Sequence, residues 1–119
     1  MRSVEQAVRQ GCQGIISFGI AGGLAPQLEA GACVIGRNII TENGRYPSHH
    51  GWAQSLMEMV LGATDRNAGS RRVSIGDIVG CDAPVASTQA KRSLHARTGA
   101  VAVDTESHIA ARIDRKSVV

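Results

Sequence analysis

The stretch Ile15-Ile16-Ser17-Phe18-Gly19-Ile20-Ala21-Gly22-Gly23-Leu24 decides how this chain is read. An apolar, strand-like run ends there on three glycines within five residues. Glycine at the end of a buried strand lets the backbone approach a bound group closely, because no Cβ stands in the way. Working outward, Val4, Ala7 and Val8 have helical spacing and run to a stop at Gly11, so Val4 to Gln10 is expected to be a helix. Gly14 to Gly19 then reads as a buried strand, and Ala32 to Thr41, with Cys33, Val34, Ile35, Ile39 and Ile40, as a second.

The remainder continues the alternation. Asn43 to Gly51 is polar and reads as a loop, and Trp52, Leu56, Met59 and Val60 mark a helix with an apolar stripe. Asp65 to Arg72 reads as a polar connection, and Val73, Ile75, Ile78 and Val79 as a strand interrupted at Gly76. After a loop over Asp82 to Ser87, Thr88 to Arg97 is expected to be helical, with Ser87 or Thr88 as its N-cap and Gly99 past its end. Ala100 to Val103 is a short strand that leads into a helix over Asp104 to Arg112. Helices alternating with apolar strands predict an α/β domain with a largely parallel or mixed sheet. Patterning stops at Arg112. Residues 1–112 are therefore expected to be a partial domain, incomplete at both ends, and 113–119 an out-of-pattern tail.

Composition bounds the function. No apolar run approaches the roughly 18–20 residues that cross a bilayer, and the N-terminus lacks a signal-peptide core, so a cytoplasmic protein with no membrane span is expected. Cys12, Cys33 and Cys81 form no CxxC pair, so they are expected to be reduced, mostly buried thiols, with no metal site. The net charge of +3 comes from scattered pairs such as Arg71-Arg72 and Lys91-Arg92. Phe18, Tyr46 and Trp52 are the only large aromatics, too few to interleave with that charge, so no nucleic acid is expected as partner. His49-His50 reads as surface loop, His108 as a local helix contact to Asp104, and Trp52 and the methionines as core.

What the glycine turn could hold has several answers. A dinucleotide fingerprint needs G-x-G-x-x-G opening into a helix, and Gly19-Ile20-Ala21-Gly22-Gly23 lacks that spacing, with Pro26 and Gly31 close behind. No helix is expected directly after Gly23. A P-loop is excluded, since no Gly-Lys-Ser/Thr follows. Two further segments carry chemistry: Gly80-Cys81-Asp82-Ala83-Pro84-Val85 after a strand, and Val103-Asp104-Thr105-Glu106-Ser107 at a strand-to-helix junction. A carboxylate there accepts two hydroxyl hydrogen bonds at once, which suits a ribose diol. It serves equally as a helix cap, with Asp104 capping and Glu106 in the first turn. Both readings stand on the residues alone.

Together the three segments resemble the nucleoside phosphorylase / nucleosidase superfamily that cleaves purine nucleosides. Gly19-Ile20-Ala21-Gly22-Gly23-Leu24 is similar to the glycine turn of methylthioadenosine / S-adenosylhomocysteine nucleosidases, and Asp104-Thr105-Glu106-Ser107 to that family's acid-methionine-glutamate segment. Asp82-Ala83-Pro84-Val85 with Val103 to Arg112 resembles the hopanoid-associated phosphorylase branch, which acts on adenosylhopane. The likeness covers most of residues 4–112 and implies a three-layer α/β/α arrangement with a mixed, mostly parallel sheet. It implies that Ala21, Gly22 and nearby backbone line the ribose and nucleophile side, and that Asp82, Pro84 and Val85 flank the purine, with the backbone at Val85 reading the base edge. It also implies that Glu106, beside Asp104 and Thr105, holds the ribose hydroxyls and is the catalytic residue.

The implied reaction is cleavage of the N-glycosidic bond of a 5′-modified adenine nucleoside by phosphate or water, with no cofactor beyond phosphate as a co-substrate. A homo-oligomer is implied for the complete protein. Thr105 stands where the family usually has methionine, Ile20 where relatives have a hydroxyl, and Ser17 where some phosphorylases have arginine. The family also starts with an earlier strand and continues to a Ser-Asp segment whose aspartate protonates the purine. Asp114 is not assigned that role. The alternative is a catalytically inactive, truncated or nucleoside-binding fragment.

Overall fold

A computed structural model describes residues 2–64 and 73–113. The expected polar connection over Asp65 to Arg72 and the tail from Asp114 onward lie outside them. The chain runs α1 (Arg2–Arg9), β1 (Gly22–Gly23), β2 (Cys33–Thr41), β3 (Gly44–Pro47), α2 (His50–Thr64), β4 (Val73–Gly80), α3 (Thr88–Thr98), β5 (Ala102–Asp104) and α4 (Ser107–Ile113). The strands form one sheet in the order β1-β5-β4-β2-β3. The three central strands are parallel, and the two edge strands pair antiparallel. This is the mixed α/β sheet that the alternation of apolar strands and helices predicts.

Successive side chains on a strand point to opposite faces, and here each face has its own cover. Ile40, Val79 and Val103 pack with Leu94 of α3 and with Leu24 and Ala100, whereas their neighbours Ile39, Ile78 and Ala102 pack with Ala111 of α4. Ile35 at the start of β2 meets Ala53 of α2. Helices thus lie on both faces of the sheet, in three layers. The register of β2 on β4 slips between Gly36 and Ile39, so Arg37 and Asn38 together face Asp77. Asn38 Nδ2 donates to Asp77 Oδ1 at 2.9 Å, and Arg45 of β3 reaches the other oxygen, so the bulge fastens the edge hairpin to the centre of the sheet.

Local expectations hold where sequence chemistry is specific. Ser87 caps α3 by accepting from Ala90 N–H at 3.0 Å, and Gly99 follows the helix with φ 72, a left-handed value that glycine adopts without strain. No helix follows Gly23. The chain passes through turns over Ala25 to Gly31 directly into β2, which removes the dinucleotide reading.

Several expectations need correction. The run Gly14 to Gly19 is not a buried strand. Apart from an isolated bridge at Ile16 it pairs with nothing among the described residues, and Ile16, Phe18 and Ile20 are 55, 96 and 100% exposed. The cause is topological: β1 is the last strand on its side among the described residues, so the segment leading into it finds no neighbour there. Asn43 to Gly51 is not all loop, since Gly44–Pro47 returns along β2 as a hairpin strand through a turn at Glu42 and Asn43. Gly44, at φ 137, supplies the backbone geometry that this tight reversal needs. Pro47 is tolerated because β3 is an edge. Gly76 does not interrupt β4. It pairs with Gly36 across the sheet, and the Val101 side chain fills the space a Cβ would take.

The expected core also shifts. Trp52 is 37% and Met59 63% exposed, and Cys12 is exposed. The Trp52 indole lies over Gly14, where an added Cβ would come within 2.5 Å of the ring. Asp104 to Arg112 is helical only from Ser107, because the turn at Thr105 and Glu106 first redirects the chain out of the sheet.

Candidate functional site

In a sheet of parallel strands, ligands bind outside the carboxyl ends of the strands. Here β2, β4 and β5 end together at Thr41, Gly80 and Asp104. The antiparallel pairing of β1 sets Gly22 opposite Val103 and Gly23 opposite Ala102, which brings Ala21 alongside Asp104. Cys81 N–H donates to Asp104 O at 2.9 Å and extends the β4–β5 contact by one residue. The glycine turn, the Asp82 to Val85 loop and Asp104-Thr105-Glu106 therefore meet along one edge, although up to 84 residues separate Gly22 from Glu106.

The two carboxylates at the junction differ in what they already hold. Asp104 is half-buried, and both its oxygens face the first turn of α4. Oδ1 accepts from the Ser107 N–H at 3.1 Å, and Oδ2 accepts from the Ser107 hydroxyl. This is a capping arrangement that satisfies a helix-terminal donor. Glu106 is exposed, and its carboxylate has no hydrogen bond or ion pair among the described residues. Its carbonyl, by contrast, accepts from Ile109 and Ala110 N–H, so the backbone beneath the free carboxylate is fixed. Thr105 is half-buried between them.

On the opposite side of the edge, Asp82 and Pro84 are exposed and Val85 is half-buried, packed against the cluster around Leu94. His108 does not make the local contact to Asp104 that its helical spacing suggests. It is 2% exposed, and its Nε2 lies 2.8 Å from Asp82 Oδ1. Gly80 makes room for this. A Cβ there would stand 2.4 Å from His108 Cβ and 2.6 Å from its backbone nitrogen. Lys91 is a second residue at this edge that sequence patterning does not single out. It reads as half of a solvated basic pair, but it is half-buried, with Cε and Nζ 3.8 Å from the position of a Cβ on Gly22. Nothing in its spacing announces that neighbour, since the approach depends on β1 folding back onto β5.

Cys81 sits at the centre of the edge, partly buried. Burial pushes its thiol above the ordinary cysteine range, and Asp104, Asp82 and Glu42 push it the same way against Arg97. A raised pKa leaves less thiolate at a given pH, so Cys81 is expected to alkylate more slowly than exposed Cys12 at pH 8. Peptide mapping after timed iodoacetamide treatment checks this, and equal labelling of the two would contradict it.

The sequence profile of the phosphorylase superfamily matches residues 1–113 of this chain. The chain belongs to the phosphorylase superfamily. No curated protein matches it in sequence. Among solved structures, futalosine hydrolase of Helicobacter pylori is similar at TM-score 0.81 and 16% identity, over 99% of this chain and 59% of that one. The 5′-methylthioadenosine/S-adenosylhomocysteine nucleosidase of Neisseria meningitidis, in complex with methylthio-immucillin-A, is similar at TM-score 0.81 and 20% identity, over 98% and 58%. A nucleosidase of the same kind from Colwellia psychrerythraea, in complex with adenine, gives 0.80 and 14%, over 99% and 57%. The fold of this phosphorylase-superfamily chain is thus that of the nucleosidases, and the chain spans rather less than three-fifths of the length of these three. Among the described residues no helix is long and apolar enough to cross a membrane.

Proposed function

We propose that the carboxyl edge of this sheet is a purine nucleoside site that cleaves, or in the alternative only binds, a 5′-modified adenine nucleoside. The observation that carries the reading is the unengaged Glu106 carboxylate. It stands at the same edge as the backbone of Ala21 and Gly22 and the Asp82 to Val85 loop, in a fold shared with enzymes named as nucleosidases. A carboxylate can accept from the ribose 2′ and 3′ hydroxyls together. The Ala21-Gly22 backbone, free of bulky side chains, lets the sugar approach, with Thr105 and the capped Asp104 beneath it. Pro84 and Val85 flank the base.

As the C1′–N9 bond lengthens, positive charge develops on the sugar ring, and a fixed anion nearby lowers the energy of that state more than of the ground state. Water or phosphate then bonds to C1′ through oxygen, the C1′–N9 electron pair leaves with the purine, and the proton that the nucleophile gives up ends on a purine nitrogen. Phosphate is the co-substrate in one version of the reaction and is absent from the other. The likeness of Asp82-Ala83-Pro84-Val85 and Val103 to Arg112 to the hopanoid-associated branch supports an apolar 5′ substituent. Binding without cleavage is the second reading, because Ser107 occupies both oxygens of Asp104 and leaves Glu106 as the one open carboxylate at the strand-to-helix junction among the described residues.

Incubation with 5′-methylthioadenosine and with an adenosine carrying a 5′ alkyl chain, with and without phosphate, tests both. Chromatography reads free adenine and distinguishes ribose 1-phosphate from free sugar. Adenine release by the 119-residue chain removes the binding-only reading. Absence of both release and nucleoside binding removes both.

A further inference from the structure

We infer that His108 is the positioning residue for the base side of this site: its Nε2–H pins Asp82 and so holds the 81–85 loop in place before any ligand arrives. The inference rests on the nucleoside reading above for the loop's role, but the pinning itself stands on contacts within the chain. A carboxylate only accepts, so the 2.8 Å contact from His108 Nε2 to Asp82 Oδ1 requires the proton on Nε2. His108 Nδ1 is buried with no hydrogen-bond partner among the described residues, and it lies against Gly80.

Buried polar atoms without partners are uncommon and costly, and an apolar ring could fill the same space without one. What the imidazole adds over such a ring is the bond to Asp82. That bond reaches an otherwise exposed side chain, 80% accessible, across 26 residues of sequence. Between the Cys81 N–H and the Ser87 cap, it is the one hydrogen bond that fastens the loop among the described residues. Pro84, having no N–H, cannot donate another from its backbone.

The consequence is geometric. Glu106 and His108 belong to the same turn at the start of α4, so one short helix sets both the sugar-side carboxylate and the position of the base-side loop. Asp82 Oδ2 remains open to solvent and can accept a hydrogen bond from a donor on the base. A preformed loop also avoids the ordering cost that a mobile one would bring to binding.

The experiment uses the full chain, labelled with 15N. Long-range 1H–15N correlation is expected to show His108 protonated at Nε2. Order parameters for the amides of the 82–86 segment are expected to be near about 0.85, and to fall below about 0.6 in His108→Phe and in Asp82→Ala. His108→Gln, which keeps an N–H able to reach Asp82, is expected to restore part of that order, which a purely space-filling role would not produce. Adenine titration is expected to weaken about tenfold in His108→Phe and at least as much in Asp82→Ala, which also loses Oδ2, with no further loss in the double variant because Asp82→Ala already removes the bond to His108. Asp82→Ala alters only an exposed side chain, so it reports even if His108→Phe fails to fold. If the variants keep the loop's order and their affinity for adenine, the pinning is wrong while the nucleoside reading survives. If the loop loses order but the unaltered chain binds no adenine, the pinning stands and the nucleoside reading falls.

Discussion

Gly80→Ala is expected to be the most damaging single substitution in the described sheet, costing about 3 kcal/mol or more of folding stability, at or beyond the upper end of ordinary overpacking. The added methyl would stand 2.4 Å from His108 Cβ and 2.6 Å from the His108 backbone nitrogen. A flexible side chain can swing aside from such a contact, whereas a backbone nitrogen in the first turn of α4 moves only if the helix moves. Movement of α4 lifts Ala110 and Ala111, both buried, away from the sheet and breaks the Asp104–Ser107 cap. For a chain of 119 residues each kcal/mol is worth roughly 4 °C in midpoint, so a fall of more than about 10 °C is expected.

Two other glycines calibrate the result. At Gly76 the near atom is Cγ2 of Val101, at 2.6 Å, and a side-chain methyl can rotate, so Gly76→Ala is expected to cost less. At Gly62, inside α2, nothing lies within 4 Å, and alanine there should stabilise by up to about 1 kcal/mol through helix propensity. Thermal unfolding followed by circular dichroism ranks the three. A Gly80→Ala midpoint equal to that of Gly76→Ala would show that α4 is not seated on β4 as described.

The same contact explains why the fold was more legible than the site. Apolar patterning located β2, α2, β4 and β5, because each buries a face that must be apolar whatever the ligand. Ser87 and Gly99 marked the ends of α3 because capping chemistry is local. The errors fall where neighbours decide. Ile15 to Ile20 has the composition of a buried strand, and only the position of β1 at the end of the sheet leaves Phe18 and Ile20 in solvent. The Gly44–Pro47 strand hides among polar residues because an edge strand needs an apolar face less than a central one does.

For the site, it is the family resemblance that joins Gly22, Asp82 and Asp104 to Glu106, and β pairing sets their backbones along one edge of the sheet. The roles within that set were not separable beforehand. Asp104 and Glu106 are both acids at a strand-to-helix junction, and residue type suits Asp104 to the cap without showing whether either also serves a ligand. Only the hydrogen bonds show that Ser107 takes both oxygens of Asp104 and leaves Glu106 open. His108 escaped for a related reason. Helical spacing suggests Asp104 as its partner, but the ring turns inward beneath Gly80 and finds Asp82 instead.

That division of labour between two neighbouring carboxylates makes a pair of substitutions decisive. Glu106→Gln is expected to leave the unfolding midpoint nearly unchanged, since the side chain is exposed and bonds to nothing among the described residues. In a protein that binds nucleoside, the same change should weaken binding by roughly 10- to 150-fold, the worth of hydrogen bonds accepted by a charged group, about 1.5–3 kcal/mol. Where cleavage is observed, the loss in kcat/KM should be larger than the loss in ground-state binding, because the anion matters most as the sugar gains positive charge. Asp104→Ala is expected to behave in the opposite way. It removes the cap from α4 and should cost about 1 kcal/mol of stability, within the usual range for such caps. Its effect on nucleoside affinity should be small wherever the protein remains folded. Calorimetric titration beside thermal unfolding separates the two. A fall in stability with unchanged affinity for Glu106→Gln would make Glu106 part of the helix start and nothing more. A large affinity loss in folded Asp104→Ala would move the sugar contact to Asp104, with Ser107 giving up its bonds as the ribose enters.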